Sequence, residues 1–513
     1  MNKKAVKWST RFLAAAMAAA LVAGCSGGKP GAGGEAAKQP ASSTPGLDIS
    51  KKVELQLYML GDPPKDLPVI EAKINELALK DLNATVKFNY ISWTDNTTKY
   101  KLLLTSGQPI DLIYTANWFG YQQYAKKGAF QPLDELLPKY APKLNDFVPK
   151  DMWNAAKIDG KIFTVPSTYK EYTTGGFIYR DDLREKFNLP KPESIATFEA
   201  YLDGIKKNVP DLFPLASGFN MRNYLELTID PAGSFPYGMT APYSKPRDMT
   251  ALWGSPAHLE GLKVAKRWAD KGFWSKNVLN EKELGNNLVI NGKSAALFSH
   301  NPSMFNDMNT KTQSAHPDWK LAYSPFPFIK GYATPVTPIG NGFAIPKSSP
   351  NPERAIAFYE KLVTDKQYNQ LTEYGIEGVN YTVENGYYKM IGDSKTNGFP
   401  REAMNGWSWR NPEYMLFDKG YDGVKEIFAQ LDKIAKPDIY SGFAEDFTSY
   451  QAERAALEQV AKQYLAPLEM GLVDDVEGGL KLFMEKAKAA GLDKIQAEYK
   501  KQWLQYLDEA GIK

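Results

Sequence analysis

From Val53 onward the hydrophobic pattern of this chain switches again and again between a period of two and a period near 3.6, which restricts it to an α/β architecture. Val53, Leu55, Leu57 and Met59 alternate as a strand, and Gly61-Asp62-Pro63-Pro64 turns the chain into an apolar-periodic helix from Leu67 to Leu82. Val86, Phe88 and Tyr90 alternate again. Thr94 is placed to cap a helix running to about Ser106, Ile110 to Tyr114 reads as a third strand, and a helix from about Asn117 to Lys127 stops at Gly128. Strand and helix alternating at this spacing predict an open, mostly parallel sheet. Such sheets bind ligands at the carboxyl ends of their strands, so the loops Leu60 to Pro64, Ser92 to Trp93 and Thr115 to Trp118 are expected to wall a site.

The N-terminus has a different character. Lys3, Lys4, Lys7 and Arg11 precede an apolar run from Phe12 to Ala23, which at ~12 residues is too short to span a bilayer and reads as an export signal. It closes on Val22-Ala23-Gly24-Cys25, and Cys25 is the only cysteine of 513 residues. This order resembles the lipobox of bacterial lipoproteins. The resemblance implies cleavage of residues 1–24, lipid on the Cys25 thiol (the palmitate and signal-peptide class) and an extracytoplasmic protein anchored to the cell membrane. Ser26 to Gly46 is rich in Gly, Ala, Ser and Pro, so residues 25–52 are expected to form a flexible tether with an r.m.s. reach of roughly 25 Å.

Removing Lys3, Lys4, Lys7 and Arg11 from 62 basic side chains leaves 58 against 59 acidic ones in the mature chain. That balance offers no basic field for nucleic acid. Gly292-Lys293-Ser294 imitates the end of a P-loop, but Asn287 stands where the first glycine is required and a strand follows. His258, His300 and His316 are far apart and have no metal-ligand spacing. Neither GxSxG nor HExxH occurs, and a cysteine at a lipidation boundary is no nucleophile. No cofactor, metal or catalytic residue is therefore expected. Asp181-Asp182, a conspicuous acidic pair, reads as favourable charge at a helix N-terminus.

The α/β rhythm resumes with IDGKIFTVP at Ile158 to Pro166, a strand-turn-strand, and with a strand at Gly175 to Arg180. A helix is expected over Thr197 to Lys207, a strand at Leu215 to Asn220, a helix over Leu259 to Lys271, a strand over Ser294 to Ser299, and a strand-helix pair over Phe343 to Asp365. From about Phe443 the chain reads as almost all helix, with Ile495, Tyr499, Trp503 and Tyr506 on one face. The strings LLTSGQPIDLIYTANWFGYQQYAKKGAFQPLDELL, IDGKIFTVPSTYKEYTTGGFIYRDDL, NGKSAALFSHNPSMF and GNGFAIPKSSPNPERAIAFYEKLVTD, in that order, resemble family 1 extracellular solute-binding proteins, the maltose-binding-protein-like receptors of sugar ABC importers. The ending, from YGIEGVNY to AGLDKIQAEYKKQWLQYL, is similar to the longer lipoprotein subgroup of Gram-positive bacteria named for LipO.

The resemblance implies a two-lobed periplasmic-binding-protein-like fold, each lobe an open mostly parallel sheet flanked by helices, with a helical C-terminal extension. Lobe 1 is placed at residues 53–165 with a return at 288–338, and lobe 2 at 166–287 with 339–513. A carbohydrate, an oligosaccharide, would bind in the cleft of a monomer that delivers it to the membrane permease of an ABC importer and is not itself an enzyme.

A sugar ring offers an apolar C–H face and a rim of hydroxyls, so its receptor needs aromatic platforms beside directional polar groups. Trp93, Trp118, Tyr172, Trp407 and Trp409 lie in segments read as loops, together with Asp62, Asn117, Asn301, Asn341 and Arg410. The resemblance adds Asn220, Arg222 and Tyr224 from SGFNMRNY. Core packing is the competing reading for each aromatic residue. Two other functions stay open on sequence alone: a surface-anchored glycoside hydrolase, which would need two carboxylates facing each other, and a structural or chaperone lipoprotein with no small ligand.

Overall fold

A computed structural model describes residues 46–93, 96–172, 174–393 and 396–513. The export signal, Cys25, the tether up to residue 45 and the Thr94 cap lie outside the described residues. The first sheet grows from β1 (Val53–Leu60), which pairs in parallel with β2 (Ala84–Ile91) from Val53↔Ala84 to Leu60↔Ile91. On its other side β1 pairs in parallel with β3 (Leu112–Thr115). Helix α1 (Leu67–Leu82) joins β1 to β2, and its buried residues Ile70, Ile74, Ala78 and Leu82 recur every four positions and form one face against the sheet. Asn83, in the left-handed conformation with φ 45°, ends it. Helix α2 (Asn96–Thr105) makes the next crossover.

The hairpin of β4 (Lys157–Ile158) and β5 (Lys161–Ile162) turns on Asp159-Gly160, both at positive φ as a two-residue type I′ turn requires. It leads into β6 (Val165–Pro166). The sheet is completed from far along the chain by β13 (Gly342–Ala344), antiparallel to both β3 and β6, in the order β2-β1-β3-β13-β6.

The second sheet has the order β12-β7-β11-β8, with β7 at Gly176–Arg180, β8 at Phe213–Leu215, β11 at Ser294–Phe298 and β12 at Leu321–Pro325. β11 and β12 both run antiparallel to β7, and the helix Pro302–Ala315 joins them. They thus form a strand-helix-strand unit with β7 inserted between its strands from the opposite direction. The expectation of mostly parallel sheets therefore holds for β1 to β3 and not here, where only β11–β8 is parallel. Two short antiparallel pairs stand apart: β9 (Met239–Thr240) with β10 (Thr250–Ala251), and β14 (Tyr381–Glu384) with β15 (Tyr387–Met390).

Each sheet has its own core. Leu55, Leu57, Ile74, Phe343, Phe358 and Trp409 belong to the first, and Phe177, Phe198, Trp268, Phe298, Phe483 and Ile495 to the second. This corrects the expected lobe boundaries. Residues 288–338 carry β11 and β12 and belong to the second lobe, whereas β13 and the helices Pro352–Thr364 and Lys366–Tyr374 build the first. A run such as Ala295-Ala296-Leu297-Phe298 is apolar enough to enter either sheet, and its pairing with Phe177 to Tyr179 is a non-local choice. The tether boundary also moves. Leu47 and Ile49 are buried in the first core, and Arg354 donates to the Asp48 carbonyl, so the ordered body begins before residue 52.

The C-terminal helices cover the second lobe. On Leu492–Glu509 the residues Ile495, Tyr499, Trp503 and Leu507 are buried along one stripe, the helical face expected from the pattern, with Tyr506 partly buried beside it. Among the described residues no helix is long and apolar enough to cross a membrane.

Candidate functional site

The ends of β2 and β3 and the start of β13 lie on one edge of the first sheet, because β13 runs antiparallel and pairs Gly342 with Thr115. Three tryptophans gather there. Trp118 sits in the single helical turn Asn117–Phe119 after β3, is 54% exposed, and donates its indole N–H to the Gly340 carbonyl at 2.8 Å. Trp93, just past β2 and 42% exposed, stacks on it with ring centroids 6.5 Å apart and an interplanar angle of 21°. Trp407 stands 6.0 Å from Trp93 and 6.2 Å from Tyr114. The Tyr114 hydroxyl donates to Asn341 Oδ1 at 2.7 Å and so fixes the amide, while its N–H groups make no hydrogen bond among the described residues.

Opposite this rim, the helix Met221–Thr228 of the second lobe is capped by Asn220, whose side chain accepts from the Asn223 N–H. Arg222 projects from its first turn, exposed, and among the described residues makes no ion pair. One turn later Glu226 faces Lys330 at 3.5 Å, and Lys330 also reaches Asp230 at 3.0 Å and lies over the Tyr332 ring at 4.5 Å. Burial raises the Glu226 pKa, partly offset by the charges of Lys330 and Arg222. Burial lowers the His300 pKa, so this imidazole meets the cleft uncharged at neutral pH. Between the two faces lies a cleft of about 850 Å³, within the size range of small-molecule sites. Further walls come from the loop around Pro231 to Tyr237 and from the segment between Asp438 and Glu445.

Asn117, Trp118, Tyr172, Arg222, Asn301 and Asn341, all expected from sequence, line this cleft. Trp93 packs on Trp118 from behind, and Trp407 on Trp93 and Tyr114, without lining the cleft themselves. Others are placed elsewhere. Trp409 is fully buried with its ring 5.5 Å from Phe343 in the first core, whereas Trp407 is only partly buried against the same core. Tyr224 is buried against Phe219 in the second core. The Asn220 side chain is committed to its cap. Arg410 is buried between Glu402 at 2.7 Å and Glu171 at 3.5 Å, with its guanidinium over the Tyr169 ring. Asp62 is exposed on the loop after β1, next to Gly61, which lies against the Trp93 indole, but does not line the cleft. Within the lining, the Tyr172 hydroxyl is bound by Asp432 and Asn301 caps the helix Pro302–Ala315.

Sequence reasoning missed Gln122, Glu226, Lys330, Tyr332 and the 438–445 segment. Gln122 follows the expected Trp118 and Glu226 lies one turn beyond the expected Arg222, but neither side chain is marked out by its own pattern, and the rest lie far from any strand end of the first sheet.

The carboxylates of this cleft have fixed partners. Glu445 accepts from the hydroxyls of Tyr237 at 2.7 Å and Tyr450 at 2.8 Å, and Asp438 accepts from the N–H groups of Tyr440 and Ser441. With Glu171 held by Arg410 and Glu226 by Lys330, the cleft is arranged to hold hydroxyl-bearing ligands against aromatic faces.

Comparison with known proteins places these features. Residues 439–508 match a domain of unknown function (DUF3502). The chain is 23% identical to a carbohydrate ABC transporter substrate-binding protein of Streptococcus pneumoniae, over 91% of this chain and 93% of that one. It is 21% identical to the lipoprotein LipO of Bacillus subtilis, over 97% and 98% of the two chains. Its fold matches that of the N-glycan transport solute-binding protein NgtS of Streptococcus pneumoniae, solved in complex with Man1GlcNAc, with a TM-score of 0.69 at 20% identity, over 89% of this chain and all of that one. Residues 66–369, more than half of the chain, match the family model of bacterial extracellular solute-binding proteins, and this chain belongs to that family.

Proposed function

We propose that this protein captures an oligosaccharide outside the cytoplasm and delivers it to the permease of an ABC importer, without changing it chemically. The observation that carries the reading is that Trp118, backed by Trp93 and Trp407, lines one cleft together with Asn341, Arg222 and Asn301. Indoles give flat apolar surface to the C–H face of a pyranose, and the amides and guanidinium hydrogen-bond its hydroxyls in fixed directions. A similar protein named as a carbohydrate ABC transporter substrate-binding protein and the sugar bound to NgtS support it.

Native mass spectrometry after incubation with mixed gluco-, manno- and chito-oligosaccharides tests the proposal. Expected is a mass increment equal to one intact sugar. New shorter products would establish the hydrolase reading, and neither increment nor products would favour a structural lipoprotein.

The lipobox-like order ending at Cys25, supported by the similarity to a protein named lipoprotein LipO, further indicates a lipid anchor at the membrane surface. Cys25→Ala should abolish lipid attachment and leave the signal uncleaved at that bond. A wild-type protein found in the cytoplasm with Met1 or Asn2 at its start would refute the anchor.

A further inference from the structure

The C-terminal region matched only as a domain of unknown function begins with residues that wall the cleft. Its leading segment, 438–447, has no regular secondary structure but is held firmly from behind. The Tyr440 ring packs edge-on against Phe235 at 5.0 Å and lies over Gly233, where a Cβ would come within 2.2 Å of it. Its hydroxyl donates to the Ser234 carbonyl at 3.1 Å. Phe443 packs against Tyr499 at 5.2 Å and Trp503 at 5.4 Å, both on the buried stripe of the last long helix. Anchored this way, the segment moves with the second lobe.

Its other side meets the first lobe. Gln122 projects from the helix α3 (Tyr121–Lys126), is 4% exposed, and donates Nε2–H to the Ser441 carbonyl at 3.2 Å. Lys127, at the end of α3, lies over the Phe447 ring at 5.0 Å. Opening the cleft at this end must break both contacts. A buried amide that loses its acceptor must be rehydrated, so the pair biases the molecule toward the closed arrangement without any ligand.

We propose that the C-terminal region is the closing wall of the cleft, latched to the first lobe through Gln122 and Lys127, and that it thereby limits the length of oligosaccharide the site accepts. The length limit rests on the carbohydrate reading above, whereas the latch does not depend on any ligand.

Amide hydrogen exchange on the purified sugar-free protein tests the latch, using Gln122→Ala and, because Lys127 is exposed and its removal leaves the cores intact, Lys127→Ala. Expected is severalfold faster exchange in 438–447 and in α3, with unchanged protection in Leu492–Glu509. Exchange equal to wild type in both variants would overturn the latch, as would uniform loss of protection in Lys127→Ala. The wall is tested by affinities for di- to hexasaccharides of the gluco-, manno- and chito- series. Each latch variant should raise the ratio of hexasaccharide to disaccharide affinity severalfold, and an unchanged ratio would overturn the length limit. If wild type binds none of these sugars, the carbohydrate reading and the length limit built on it fail together, while exchange still decides the latch.

Discussion

Trp118 and Trp409 show how one residue type takes opposite places in this protein. Trp118 is half exposed, lines the cleft and gives its N–H to the Gly340 carbonyl, so on the proposed function its removal would take away a ligand platform and little packing. Trp118→Ala should weaken oligosaccharide binding by roughly 1–3 kcal/mol, as loss of an aromatic anchor does, with a small change in denaturant midpoint. Trp409→Ala should instead cost about 3–5 kcal/mol of stability, like the equally buried Trp503→Ala, and leave affinity intact in the folded fraction. Equal destabilisation by all three, with affinity unchanged, would take Trp118 out of the site. Glu373 lies beside the Trp409 indole, and its pKa is pushed up to about 8, by burial first and the Glu402 charge second, with Arg410 and Arg401 opposing. The native state therefore keeps a proton that the unfolded chain releases above 4.5, and stability should fall as pH rises from 4.5 to about 8. Glu373→Gln cannot release that proton and should flatten the slope. Urea midpoints across this range would show it, and parallel pH profiles for the two proteins would disprove the role of Glu373.

At the scale of elements, local pattern was a good guide and partner choice was not. Alternation and breakers placed α1 at the observed residues and located β1, β2 and β3 to within two residues, because the period and the Gly61-Asp62-Pro63-Pro64 turn are local signals. The expected helix from Asn117 to Lys127 is interrupted at Gly120, whose φ of 82° ends one turn and starts the next, and this break turns Trp118 outward. The expected strand from Leu215 to Asn220 stops at Leu215, since Ser217 and Gly218 both take positive φ and bend the chain into the cap at Asn220. What sequence could not supply was which sheet β11, β12 and β13 would join. Their apolar runs suit either interior, and the choice depends on residues more than a hundred positions away, as in Phe343 against Tyr114. The same limit applies to the site. Trp93, Trp118 and Asn341 could be read from strand ends, whereas the 438–445 wall is brought there by tertiary packing alone.

At the scale of the molecule, the chain passes between the two cores at three places, near residues 167–175, 326–341 and 411–420, and these crossings are tied to one another. Tyr172 bridges to Pro335, the Val336 N–H donates to the Glu171 carbonyl at 2.8 Å, and the Glu171 side chain meets Arg410 at 3.5 Å. Three short connections side by side permit rotation of one lobe against the other while resisting separation, which is the geometry of hinge closure. A ligand that touches Trp118 and Asn341 on one side and Arg222 and Asn301 on the other makes its full set of contacts only when the lobes are together, so it must shift the population toward the closed form. A bound oligosaccharide at about 100 times its Kd should add roughly 2.7 kcal/mol of stability, seen as a higher Tm, and should reduce the radius of gyration in solution scattering. The reduction should be larger in Gln122→Ala, whose sugar-free ensemble starts more open. Binding with no compaction in either protein, together with loss of affinity from Trp118→Ala but none from Arg222→Ala, would mean that the sugar rests on one lobe and that the cleft does not close as a clamp.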